Sequence, residues 1–173
     1  MVANFVIRPF LTRLTDLWTG KDYDCFKKEL MRIGAIILGL TVLAVGATAV
    51  LGKWVLSVME MILGSGYEGR LVSYYGAFII IVLGGGFYAL ANLMYYALVI
   101  MRRQKAIFTV YLAAAAAAAV LSGFLVSKFG IKVGRAGCYL LLMIGLVIGF
   151  GLYTAGAYQS EKKENAGNGG SNT

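Results

Sequence analysis

Charged residues in this chain fall in short clusters, and long uncharged stretches separate them. Residues 33–52, 71–101, 106–127 and 136–160 contain no Asp, Glu, Lys or Arg. About twenty apolar residues, rising about 1.5 Å each as a helix, cross the roughly 30 Å hydrocarbon core of a bilayer. Each stretch is long enough, and each is bounded by charge: Arg32 and Lys53, Arg70 and Arg102, Lys105 and Lys128, Arg135 and Glu161. Helix is the expected state, because backbone groups in hydrocarbon must be satisfied within their own segment. The pattern predicts an all-α, polytopic membrane protein with four transmembrane helices over 33–160. Residues 1–32 form a charged cytoplasmic segment, and 161–173, small, polar and glycine-rich, form a disordered tail.

Two connections read less simply. Phe5, Val6, Phe10, Leu14, Leu17 and Trp18 recur at helical spacing opposite Arg8, Arg13 and Asp16. That suits an amphipathic helix at the interface, or equally the inner end of a preceding span. Thr19-Gly20 closes the pattern. Residues 54–64, after Lys53, either turn back at the outer interface or continue the first helix, with Trp54 as an anchor.

Charge sets the expected orientation. The N-terminal segment, the 102–105 loop and the tail hold eleven Lys and Arg, whereas the other two connections hold five. The positive-inside bias therefore predicts both termini in the cytoplasm, an N-in/C-in arrangement, with Arg102, Arg103 and Lys105 against lipid headgroups. The net charge of +8 is explained by these span ends, so membrane lipids and not nucleic acid are the expected partners. There is no histidine, and Cys25 and Cys138 form no CxxC pair. No metal site, cofactor or disulfide framework is expected. Glu60 is the one acid within the short apolar piece 54–64. It reads as a solvated residue at the outer headgroup level or as an ion-coupling carboxylate. With no nucleophile and base, and no carboxylate pair near the spans, the chain is not read as an enzyme.

Within the spans, Gly84-Gly85-Gly86 predicts a bend or a close helix contact, since glycine weakens a helix by about 1 kcal/mol relative to alanine. No strand precedes it and no GK[ST] follows, so it is not a phosphate loop. Ala113–Ala119, and Gly145, Gly149 and Gly156 with Ala155, suit close packing in lipid. Tyr88, Asn92, Tyr95 and Tyr96 follow at i, i+4, i+7 and i+8, on one helical face. An amide in lipid needs a partner, so this face either lines a cavity where rings stack on sugars, or glues helices together beside an interfacial tyrosine belt.

RPFLTRLTDLWTGKDYDCFKKELMR, LGGGFYALANLMYYALVIMRRQKAIFTVYL and VSKFGIKVGRAGCYLL resemble the oligosaccharide (O-antigen type) flippases of polysaccharide biosynthesis. These belong to the MATE-like multidrug/oligosaccharidyl-lipid/polysaccharide exporter superfamily. The resemblance rests on the long helix ending in ALVIMRRQK, the alanine-rich helix after it and the FGIKVG turn. It implies the last four helices of a twelve-helix, two-bundle protein in the cytoplasmic membrane of a prokaryote. It also implies a lipid-linked oligosaccharide as cargo, moved by alternating access. Two halves around a midplane site are needed for that mechanism. The missing N-terminal half, or another copy of the chain, is then an expected partner. The alternative readings are a four-helix membrane subunit without catalytic activity and a dimeric small-molecule exporter. The second needs a carboxylate in an early span, and 33–52 has none.

Overall fold

A computed structural model of the chain describes residues 2–63 and 71–168. Four α-helices carry it: α1 (Val2–Thr19), α2 (Tyr23–Leu63), α3 (Tyr75–Ile100), preceded by a 3-10 turn (Val72–Tyr74), and α4 (Gln104–Asn168). There is no strand among the described residues. Gly130, at φ 74° and ψ 170°, interrupts α4 and divides it into two antiparallel arms. The arms meet at matched distances on either side of Gly130. Arg103 lies 3.7 Å from Glu161, the Tyr111 ring 5.3 Å from that of Phe150, and Gly134 packs on the Leu125 backbone. Four segments are long and apolar enough to cross a membrane: Tyr23–Ile62, Val72–Ile100, Gln104–Lys128 and Gly134–Glu161. The four uncharged stretches are thus four helical spans.

Several boundaries differ from those expected. The helix that carries the first uncharged stretch begins ten residues before Ile33, at Tyr23, where Asp22 caps it by accepting a hydrogen bond from the Cys25 N–H at 3.2 Å. Residues 54–63 do not turn back but extend α2. The tail is not disordered from residue 161. Glu161-Lys162-Lys163-Glu164 are good helix formers, and the helix runs on to Asn168. Residues 169–173, like 64–70, lie outside the described residues. α3 runs unbroken through the glycine triplet, from Tyr75 to Ile100.

Both tight turns at the loop-rich end close by the same device. After α1, the Lys21 N–H donates to the Trp18 carbonyl at 3.1 Å and the Asp22 N–H to that of Leu17 at 3.0 Å. After α3, the Arg102 N–H donates to Val99 and the Arg103 N–H to Leu98, each at 3.0 Å. These are Schellman caps, which need a left-handed residue. That residue is Lys21 (φ 58°) in the first and Arg102 (φ 55°) in the second, not a glycine. A side chain there costs about 1–2 kcal/mol, offset partly by a stiffer unfolded chain. Lys21→Gly is therefore expected to stabilise the protein by about 0.5–1 kcal/mol, read as a rise in detergent-solubilised Tm. A fall in Tm would show that Lys21 makes a contact worth more than its strain.

Packing follows the small residues. The α2–α3 pair is antiparallel: Gly34 lies against Leu90 and Leu93, Gly86 against Thr41, and the Tyr75 hydroxyl donates to the Ala49 carbonyl at 2.7 Å. A core of Leu14, Phe26, Leu30, Ile33, Leu93 and Ala97 joins α1, α2 and α3. A second, of Ala91, Leu98, Val110, Leu146 and Phe150, joins α3 to both arms of α4. The amphipathic stripe of α1 is buried at Leu14, and Arg13 pairs with Glu29 of α2 at 2.8 Å.

Candidate functional site

The helical phase of α3 separates what its sequence runs together. Successive residues point about 100° apart, so the three glycines face three ways. A Cβ on Gly84 would stand 2.6 Å from the Tyr139 ring of α4, and one on Gly86 would collide with the Thr41 side chain of α2. One on Gly85 would meet nothing within 4 Å. Gly84 and Gly86 are thus the contact points of α3 with its two neighbours, and Gly85 opens onto an uncovered strip between them.

Tyr88, Asn92 and Tyr96 stand on that strip, at i+3, i+7 and i+11 from Gly85. Tyr88 is 50% exposed, and Asn92 and Tyr96 are partly exposed. The Asn92 amide makes no hydrogen bond among the described residues. Tyr95 departs from the expected set. It turns toward α4, its ring 6.2 Å from that of Tyr111 and 6.3 Å from that of Phe150, and 5.4 Å from Tyr96 at the edge of the strip. Tyr111, Tyr139 and Phe150 support the strip from behind. The sequence reading did not single them out, because a lone aromatic in an apolar span carries no signal of its own.

The strip lies on a module with little covered surface. No more than 28% of the most apolar window of any span is buried, and for Gln104–Lys128 the share is 6%. An unpartnered amide facing hydrocarbon is unfavourable, because its N–H and C=O groups find nothing to bond. Chemically, the strip can stack rings on an apolar sugar face and offer one amide donor and acceptor beside them.

The other expected residues lie at the two ends of the bundle. Glu60 accepts a hydrogen bond from the Val72 N–H at 2.9 Å and so caps the 3-10 turn before α3. Lys53 stands over the Tyr75 ring at 5.3 Å on the same end. At the opposite end, Arg102, Arg103 and Lys105 line a groove with the last turns of the second arm of α4. There too the Tyr158 hydroxyl donates to Asp24 at 2.9 Å, and Trp18 packs on Tyr23 and Phe26 at 4.9 and 5.2 Å. No group of three metal-ligating side chains is found among the described residues. No family model matches the chain, and neither does any curated protein or solved structure.

Proposed function

We propose that the chain is a membrane transport module, the C-terminal part of a flippase that moves lipid-linked oligosaccharide units across the cytoplasmic membrane of a prokaryote. The observation that carries this reading is the Asn92 amide, without a hydrogen-bond partner among the described residues and flanked by Tyr88 and Tyr96 on an uncovered strip of a spanning helix. A polar and aromatic strip of this kind suits one wall of a hydrated cavity, and the ring faces suit a glycan. The sparse cover of all four spans supports a further set of helices, a missing N-terminal half or another copy, as the opposite wall. The end that carries the N-terminal segment, the Arg102, Arg103 and Lys105 loop and the tail holds eleven Lys and Arg against five at the other, which supports that end as the cytoplasmic one. Glu60 has a capping role within the fold, so ion coupling is assigned to no residue here.

The test is export itself. In cells that depend on this gene for surface glycan, Asn92→Leu is expected to reduce surface glycan at least tenfold while the membrane level of the protein stays constant. That loss corresponds to about 1.4 kcal/mol or more of lost interaction with the cargo. Full export by Asn92→Leu would sink the cavity-wall reading and leave Asn92 as a contact between helices.

A further inference from the structure

We infer that the groove between the α3–α4 loop and the second arm of α4 binds the phosphate headgroup of one anionic glycerophospholipid. The groove has a volume of about 900 Å³. Its mouth carries Arg102, Arg103 and Lys105, and its wall is Leu152, Tyr153 and Gly156. Cations at the mouth and apolar surface beneath match the two halves of a phospholipid, a charged head above a hydrocarbon chain.

Three features make this a built site and not a loose basic loop. The Schellman cap after α3 holds Arg102 in the left-handed region, with its own and the next N–H bonded back to Val99 and Leu98. The loop backbone is therefore fixed, and the cations leave it in set directions. Arg103 is held 3.7 Å from Glu161, whereas Arg102 and Lys105 have no carboxylate partner among the described residues. Two cations are thus available for one phosphate. Finally, a Cβ on Gly156 would meet nothing within 4 Å, and Leu152 is 70% exposed. The wall below the cations is open and apolar, wide enough for an acyl chain to lie against.

The chemistry recognised is a phosphate monoanion beside hydrocarbon. The paired requirement favours a lipid over a soluble phosphate, since soluble phosphate gains nothing from the apolar wall. Basic pockets at helix ends attract anionic headgroups by about 1 kcal/mol per Lys or Arg. That is about fivefold per cation and roughly thirtyfold for the two unpaired ones. The inference does not rest on the transport reading, because it is measured on the purified chain without any export.

Native mass spectrometry of the full chain, released from detergent, would count bound lipid during titration with phosphatidylglycerol or phosphatidylcholine. One tight equivalent of phosphatidylglycerol is expected, with phosphatidylcholine much weaker. The triple variant Arg102→Gln, Arg103→Gln, Lys105→Gln is expected to weaken that equivalent roughly thirtyfold or more. A charge-matched control, Lys53→Gln, Lys128→Gln, Arg135→Gln at the other end, should leave it intact. Equal loss in both triple variants would reduce the effect to net charge and overturn the site. Gly156→Phe fills the groove, keeps every cation and enters open space, so it should fold. It is expected to lose the equivalent as well, and unchanged binding would overturn the site even if the triple variant failed to fold. Displacement of the lipid by millimolar inorganic phosphate would assign the cations to a soluble anion and overturn the lipid assignment.

Discussion

Gly134→Ala and Gly130→Ala, at the hairpin between the two arms of α4, are each expected to lower stability by about 1–3 kcal/mol. The two act by different routes. Gly130 sits at φ 74° and ψ 170°, a backbone region that is essentially restricted to glycine, and any side chain there costs of order 1–3 kcal/mol. Nothing lies within 4 Å of a Cβ at Gly130, so its whole effect is conformational. Gly134 has ordinary helical geometry but faces the other arm. A Cβ there would stand 2.6 Å from the Leu125 carbonyl oxygen and 2.9 Å from the Val126 Cα. These are backbone atoms, so relief requires the arms to separate. The measurement is Tm in detergent with a protease-sensitivity readout at residues 128–134. Gly134→Ala should increase cleavage there, as the hairpin opens. If both variants melted within a degree or two of the parent, the close hairpin at Gly130 would be wrong.

The glycine triplet of α3 gives the second large effect, and its pattern is more telling than its size. Gly84→Ala and Gly86→Ala are each expected to cost about 1–3 kcal/mol, the usual range for forcing an extra carbon into a packed contact. Gly84 meets the Tyr139 ring, which has to rotate away, and Gly86 meets Thr41. The Thr41 hydroxyl already donates to the Ile37 carbonyl at 2.7 Å, so moving it breaks a hydrogen bond. Gly85→Ala meets nothing and should stabilise α3 by up to about 1 kcal/mol through helix propensity. The expected order in Tm is therefore Gly85→Ala above the parent, with both neighbours below it. Three equal losses would point instead to a hinge that needs all three glycines.

The alternating fate of these glycines shows where sequence reading reached its limit. A run of three glycines in an apolar span announces close approach or bending, and both were open. That consecutive residues cannot face one neighbour follows from the 100° step of the helix. Which neighbour each one meets does not, because that depends on the rotation of α3 about its own axis relative to α2 and α4. The same rotation moved Tyr95 off the strip shared by Tyr88, Asn92 and Tyr96. Spacing places the four residues within a broad arc, and a small shift of that arc decides which edge is covered by Tyr111 and Phe150. Glu60 illustrates a different limit. Its carboxylate was legible as an acid near the outer end of a span, but its partner, the Val72 N–H, lies across a connection whose geometry has no sequence signal.

By itself the sequence determined the helical class, the number of spans and the charge at each end. Hydropathy and charge act residue by residue against a bilayer, so a linear pattern suffices to read them. Only the tertiary structure decided the rest: the extension of α2 from Tyr23 to Leu63, the left-handed caps at Lys21 and Arg102, the division of the glycine triplet, and the groove joining Arg102 and Lys105 to Leu152 and Gly156. The helix extension and the caps are settled by local backbone hydrogen bonds, whereas the division of the triplet and the groove depend on segments distant in sequence meeting at a particular rotation and depth. That meeting is set by the packing of small residues between helices, to which hydropathy is blind.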